Sequence, residues 1–447
     1  MRPLLGKELR EVASGRALWT TLLILCPLVG YSFFQAVSLY GEASAAAAES
    51  PVLGSGLSPL DGVLVPTFGG LYLAATLLFP FVAIRTLGHE RESGALALLV
   101  QLPYRVPALI TAKMAAIFGA WLAAVLCAAS ALLVWLAIGG HLYLPETLDL
   151  VLGHVLYGLL VGAIALFSAS ISDSAATAAI ITLAFTIGSW VLDFTIAGRP
   201  GLFDWVARLS LTQTLRPFEQ GLLSAGLLLG MLAAICGFAA LAAVWLHPGV
   251  RASTKIARSA VCVSIAAAVI GLSTQVERSV DVTEDRRNSF PAADQRALAQ
   301  LREPLIVTVH LAPEDPRYVD LRRNVLAKLE RAMPDVAIRL ATSGQSVVGS
   351  TSEEAYGEVE YSYDGRSDKS RSTSHREILP LIYALAGRAI PEPIAGADYP
   401  GYPLVANGSP ALAWFFGALP LLIILLWWWS RRPPQIPAHL IKNGGQL

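Results

Sequence analysis

Charged side chains are scarce in this 447-residue chain. Asp, Glu, Lys and Arg make up 15% of it, whereas soluble domains contain about 25%. Apolar residues account for 54%, and several apolar runs approach or exceed the roughly 18 residues that can span a bilayer. The formal net charge is zero, so the charge balance gives no reason to expect nucleic acid as a partner. This composition predicts a polytopic α-helical membrane protein.

The motifs of common enzyme classes are also missing. No Gly-x-x-x-x-Gly-Lys-[Ser/Thr] loop is present to bind nucleotide phosphates. His89-Glu90 lacks the second histidine of a zinc-binding His-Glu-x-x-His helix, and no Gly-x-Ser-x-Gly nucleophile elbow occurs. The four cysteines lie in apolar runs without metal-site spacing. We therefore predict that this chain carries no catalytic residue, no metal site and no cofactor.

Eight apolar segments are long enough to form membrane helices. We place these spans at about 18–38, 67–87, 108–138, 151–172, 175–197, 222–246, 259–276 and 411–429. A helix satisfies its own backbone hydrogen bonds, as the bilayer interior requires. With these limits Asp173 falls between two spans and Asp193 near the end of one. The sequence therefore predicts no pair of acidic residues inside the membrane.

Basic residues predict the orientation of the chain, because loops rich in Lys and Arg stay in the cytoplasm. One side of the predicted bundle would carry Lys7, Arg10, Arg16, Arg85, Arg91, Arg105, Lys113, Arg251, Lys255, Arg258, Arg431, Arg432 and Lys442. The loops 39–66 and 139–150 contain no Lys or Arg. We therefore expect a multi-pass protein of the cell inner membrane with both termini cytoplasmic.

That orientation places residues 277–410 outside the cytoplasm as one small domain. Its predicted elements are a strand at Leu305–Leu311, a helix at Asp320–Met333, a strand at Val336–Leu340, a strand at Tyr356–Tyr363 and a helix at Ile378–Ala386. Strand, helix and strand at this spacing predict a βαβ unit with parallel strands. The fold class is thus about eight transmembrane helices with one small α/β extracytoplasmic domain.

The most informative segment, residues 88–113, lies between two apolar runs. A charged patch comes first, followed by a short apolar stretch and a basic turn that contains prolines, which end helices. Its charged and apolar side chains could dock a partner outside the bilayer, or the segment could be a plain cytoplasmic loop that satisfies the positive-inside rule. The candidate docking residues are Glu90, Arg91, Glu92, Gly94, Leu98, Pro103 and Arg105.

The same segment resembles the Glu-Arg-Glu-x-Gly-[Ala/Thr]-Leu-x-Leu-Leu…Pro-x-x-Arg…Lys pattern that follows the second membrane helix of ABC type-2 permeases. The likeness extends over the first 250 residues, including Leu209–Gly221 before the sixth span. It implies a coupling helix near 88–107 that docks a cytosolic ABC ATPase dimer. ATP and Mg would be bound by that ATPase, and a second permease copy or a related permease would complete the pathway. Permeases of this class mostly export, so the resemblance favours an exporter.

A second resemblance covers the beginning of the external domain. Val280-Asp-Val-Thr-Glu-Asp-Arg-Arg-Asn-Ser-Phe-Pro-Ala292, followed by the strand at Leu305, is similar to the start of the auxiliary subunit of gliding-motility-type ABC transporters. The external domain of that family is much longer. The chain is thus expected to fuse a permease with a shortened auxiliary subunit.

These expectations define six regions of the chain. They are an interfacial N-terminal helix at 1–17, a six-helix permease domain at 18–250, a seventh membrane helix at 251–276, the extracytoplasmic α/β domain at 277–410, an eighth membrane helix at 411–430 and a cytoplasmic tail at 431–447. The leading hypothesis is a permease subunit surrounded by membrane lipids. The alternative is a non-transporting membrane scaffold of an envelope complex, with an envelope partner at the external domain and the same kind of ATPase. A membrane-embedded enzyme is disfavoured by the missing motifs.

Overall fold

Long apolar helices form the framework of the protein. The computed structural model describes residues 2–48, 54, 56–101, 104–196, 210–276, 278–312, 315–340, 356–392 and 399–431. Within these residues, eight helices are long and apolar enough to cross a membrane. Spans 1 to 8 are Arg16–Ala47, Leu60–Glu92, Val106–Ala137, Leu144–Ile171, Ala175–Leu192, Ala225–Leu246, Ala252–Ser273 and Ser409–Ser430. The prediction of eight spans is confirmed.

Several of the predicted limits are wrong, because spans 2, 4 and 7 each begin seven residues earlier than expected and span 1 ends nine residues later. Span 1 continues to Ala47, because the alanine-rich stretch that we placed in the loop 39–66 favours helix. Span 4 begins at Leu144 instead of 151, with a proline in its first turn where the ring fits a helix. Glu146 and Asp149 therefore lie inside span 4, and both are buried. The expectation that no span holds a pair of acids is wrong for this reason.

Span 4 lies at the centre of the bundle. It packs against spans 2, 3, 5 and 6, and 72% of the residues in its most apolar 18-residue stretch are buried. Span 7 lies at the edge of the bundle. It packs against span 6, and only 6% of its most apolar 18-residue stretch is buried. Span 8 packs against span 1, where Phe415 occupies the space that a side chain at Gly30 would need.

A tryptophan fixes the distance between spans 3 and 4. Trp121 is fully buried, and its indole Nε1 donates to the carbonyl oxygen of His154 at 2.9 Å. The indole ring lies directly over Gly158, where an added Cβ would overlap it. Close backbone approach at glycine is a common way to pack membrane helices.

A polar junction holds the α/β domain against one end of the bundle, which we call the domain side. Strand β1 (Leu222–Ser224), just before span 6, pairs antiparallel with β2 (Ser279–Asp281), just after span 7. Arg287 of the domain forms an ion pair with Asp61 and donates to Ser58 Oγ at 2.6 Å. The backbone N–H of Glu284 donates to Glu146 of span 4 at 3.1 Å. The domain is thus bonded to spans 2 and 4 and, through β1, to the segment just before span 6.

The domain itself is a four-stranded sheet with helices against one face. The strands β3 (Leu305–Val309), β4 (Val336–Leu340), β5 (Val359–Tyr363) and β6 (Arg366–Ser370) have the order β4-β3-β5-β6. The helices are Ala292–Leu298, Pro316–Leu321, Ala327–Ala332 and His375–Leu385, with a π turn at Arg322–Leu326. Strands β3 and β4 are parallel, which confirms the predicted βαβ unit.

The edge strand β6 was not predicted. Its sequence, Arg-Ser-Asp-Lys-Ser, is polar and lacks the apolar alternation of a strand. The signal lies in the preceding turn, because Asp364 and Gly365 both have positive φ, at 49° and 74°. An Asp-Gly pair in this conformation forms a two-residue hairpin. The turn therefore determines β6 where the strand's own sequence does not.

We expect Gly158→Leu to destabilise the bundle, because the new side chain must displace the Trp121 ring. Overpacking of this kind costs about 1–3 kcal/mol. Gly69→Leu in span 2 is the matched control, since a Cβ there meets nothing within 4 Å. Thermal unfolding in detergent would measure the effect. Equal unfolding temperatures for the two variants would contradict this packing.

Candidate coupling site

The chain makes a sharp corner between spans 2 and 3, on the side opposite the domain. Span 2 ends at Glu92, and Gly94 has a φ of 72° that reverses the chain into the connecting helix Ala95–Gln101. Glycine adopts this left-handed conformation without the steric cost that a side chain would add. Span 3 then begins at Val106. The short helix that the sequence predicts between spans 2 and 3 is present.

A buried ion cluster lies behind this corner. Lys113 of span 3 is 0% exposed, Glu8 of the N-terminal helix (Arg2–Ser14) 1% and Glu90 of span 2 2%. Lys113 Nζ donates to Glu8 Oε2 at 3.0 Å and to the Thr86 carbonyl oxygen at 2.7 Å. The same Nζ lies 2.7 Å from Glu90 Oε2. One ammonium thus connects three helices.

Lys7 closes the cluster from the solvent side. Its half-exposed ammonium lies 3.2 Å from Glu8 Oε1 and 3.0 Å from Glu11 Oε2, and it also forms an ion pair with Glu90. Burial raises the pKa of Glu8, and the charge of Lys113 opposes that shift. The pKa of Lys7 is raised by its bonds to Glu90 and Glu11, although burial acts in the opposite direction. The cluster holds three carboxylates and two ammoniums, so each buried carboxylate depends on a lysine.

The three carboxylates could in principle hold a metal ion. Oxygens of Glu8, Glu11 and Glu90 lie within 4.8 Å of one another, and carboxylates are the ligands that hard cations prefer. The ammonium of Lys7, however, already contacts all three. Lysine therefore supplies the positive charge that a cation would bring.

The predicted docking residues separate into two groups. Glu90 is turned into the ion cluster, and the Arg91 guanidinium donates to the carbonyl oxygens of Ala169 and Ser170 at 3.0 and 3.1 Å. These carbonyls end span 4, where a cation also interacts favourably with the helix dipole. Glu90 and Arg91 thus fasten the corner to the bundle instead of offering charge to a partner.

The other predicted residues are on the surface of the corner. Glu92 and Arg105 are exposed, and Leu98 has 67% of its surface accessible. A Cβ at Gly94 would meet nothing within 4 Å. Pro103 lies outside the described residues. We call Glu92, Leu98 and Arg105 the corner surface, and its role in docking stays a prediction.

Lys7, Glu8 and Lys113 were not predicted to be parts of one site. We interpreted both lysines as positive-inside loop charges, yet Lys113 lies in the buried part of span 3. A lone charge in an otherwise apolar run was the available signal, because membrane helices rarely hold charged residues without a partner. Its partners could not be identified, since Glu8 and Glu90 come from distant segments.

We expect Lys113→Met to destabilise the protein strongly, because it leaves Glu8 and Glu90 buried without their shared cation. Breaking a buried ion pair by removing one partner costs about 3–5 kcal/mol. The triple variant Glu8→Gln, Glu90→Gln, Lys113→Met should recover most of that loss. Lys369→Met, at an exposed position of the domain, is the control. Thermal unfolding in detergent with no difference between the Lys113→Met and Lys369→Met variants would contradict the cluster's role.

Comparison with known families bears on the N-terminal part of the chain. Residues 2–198 match the family model described as ABC-2 family transporter protein. No curated protein and no solved structure matches the chain significantly. The matched segment contains the N-terminal helix, spans 1 to 5, the ion cluster and the corner surface. This similarity supports an ABC-2 membrane permease, whereas the likeness to a gliding-motility auxiliary subunit stays a prediction.

Proposed function

We propose that this protein is the permease subunit of an ABC exporter of the inner membrane, driven by a separate cytosolic ATPase dimer. The family match over residues 2–198 supports the permease part. ATP and Mg would be bound by the ATPase, since the sequence lacks a phosphate-binding loop. A second copy of the chain or a related permease would complete the pathway.

The observation that carries this proposal is the corner surface with the ion cluster directly behind it. Exposed apolar side chains beside charges are typical of protein–protein contacts, and Leu98 stands between Glu92 and Arg105 in the chain. The residues just inside, Glu90 and Arg91, bond to the N-terminal helix and to spans 3 and 4. A force on the corner therefore acts on four helices.

The ion pair between Glu90 and Lys113 resists relative movement of the helices that carry these residues. Separating Glu90 from Lys113 would leave an unpaired charge in a buried place, which is far more costly than moving the helices together. The three helices that meet at Lys113 are thus expected to move as one body when the ATPase closes. In this mechanism the permease performs no covalent chemistry and transmits motion.

The distribution of basic residues supports a cytoplasmic corner. Lys7, Arg105 and Arg258 lie at the end of the bundle opposite the domain, as does Arg431 after span 8. Basic residues favour the cytoplasmic side. Both termini would then be cytoplasmic, and the α/β domain would lie outside, where it could contact an envelope partner.

We expect the double variant Glu92→Lys, Leu98→Asp to lose the ATPase. Loss of one apolar anchor and one charge at an interface centre lowers affinity by at least about tenfold. The measurement is the yield of ATPase that co-purifies with the protein from its native membrane, identified by its Walker A peptide in mass spectrometry. Thermal unfolding should be unchanged, because both side chains are exposed.

The control is Val319→Asp, Glu377→Lys, which likewise replaces one apolar side chain by Asp and one Glu by Lys at exposed positions of the α/β domain. It should retain the ATPase at full yield. Wild-type ATPase yield with the corner variant would remove the proposed docking site. ATPase that binds the corner but produces no substrate movement in reconstituted vesicles would favour the scaffold over the exporter.

A further inference from the structure

A cavity of about 700 Å³ lies between spans 4, 5, 6 and 7, toward the domain side. The short helix Leu211–Glu219, which precedes span 6, forms part of its wall. Its volume is within the range of about 300–1,000 Å³ that is typical of small-molecule sites. The coupling site does not use this cavity, because the corner surface and the ion cluster lie at the other end of the bundle.

The wall of the cavity changes from polar to apolar along the axis of span 6. Hydroxyl groups of Ser210, Ser224 and Thr274 lie at its domain end, next to the ends of spans 6 and 7. Its deep end is formed by Ile164 and Phe238. Phe238 is thirteen residues into span 6, which is about 20 Å along the helix axis. The cavity thus extends from a polar rim to beyond the midpoint of span 6.

The rim can accept hydrogen bonds but offers no charge. Ser273 and Thr274 donate their protons to the carbonyl oxygens of Ile270 and Gly271, and each hydroxyl oxygen keeps lone pairs that can accept. All the described side chains that line the cavity are uncharged. A ligand with a charge deep in the cavity would have no counter-charge there, so the deep end favours a hydrocarbon chain.

We infer that this cavity binds one acyl chain of a phospholipid from the leaflet on the domain side. The chain would enter tail first, and the polar headgroup would stay at the hydroxyl rim, where an ammonium or hydroxyl group can donate to the exposed hydroxyl oxygen of Thr274. The apolar deep end, the polar rim and the position within the spans all match this amphiphile. The inference goes beyond the permease role and requires no ATPase.

Gly188 of span 5 provides a direct test. It lines the cavity, and an added Cβ would meet nothing within 4 Å, so Gly188→Phe should place its ring in the cavity without a clash. Gly417→Phe in span 8 is the matched control, because that glycine also has open space around it and lies outside the cavity. Both variants add the same volume to a membrane helix.

The full-length protein would be reconstituted in nanodiscs with a phosphatidylethanolamine that carries a diazirine in the middle of one acyl chain. After photolysis, mass spectrometry would locate the lipid adducts. We expect them to concentrate on the peptides with Phe238 and Ile164, and Gly188→Phe should lower them at least about fivefold, because a phenyl ring takes the space of the chain. Gly417→Phe should leave them unchanged.

Two results would overturn the inference. The first is a uniform spread of adducts over all membrane-facing helices that Gly188→Phe does not alter. The second is a chain-to-chain adduct from a benzophenone amino acid at position 188, which would show that a second copy fills the cavity. Both readouts are independent of ATPase association, so a failure here is distinguishable from a failure of the proposed transport function.

Discussion

The contact between Lys113 and its two carboxylate partners holds the corner end of the bundle together. Lys113 is fully buried and joins the N-terminal helix, span 2 and span 3 through Glu8 and Glu90. None of these charges is stable alone at such a place. The geometry of the corner, the position of the N-terminal helix and the path by which force would reach the bundle all depend on the pairs remaining intact.

The sequence predicted the parts of the fold that follow from local pattern. Eight apolar runs predicted eight spans, and the βαβ unit followed from the spacing of its elements. Prediction from the sequence was wrong where a contact with a distant segment, or the conformation of a turn, determines the structure. Span 4 begins at Leu144 and buries Glu146, because the domain supplies the backbone N–H of Glu284 as a partner. Strand β6 forms because the turn at Asp364 and Gly365 folds it back.

The candidate site was predictable only in part. Composition and motif order placed a corner between spans 2 and 3, and Glu92 and Leu98 are exposed there as a docking surface requires. From the same pattern we interpreted Glu90 as a surface charge. Its burial depends on Lys113, which is 23 residues away in the chain, and on Glu8 at the start of it. Pairing between distant segments leaves no local signal in one sequence.

The most direct test of this account is to follow motion from the corner across the membrane. Spin labels at Tyr104 and Arg258 would report the corner side, and labels at Leu144 and Leu272 the domain side, in the protein reconstituted with its ATPase; Tyr104, Leu144 and Leu272 are exposed. We predict that ATP changes both distances in the wild type. In the Glu8→Gln, Glu90→Gln, Lys113→Met variant only the corner distance should change. A domain-side change of wild-type size in that variant, or in protein without ATPase, would contradict the account.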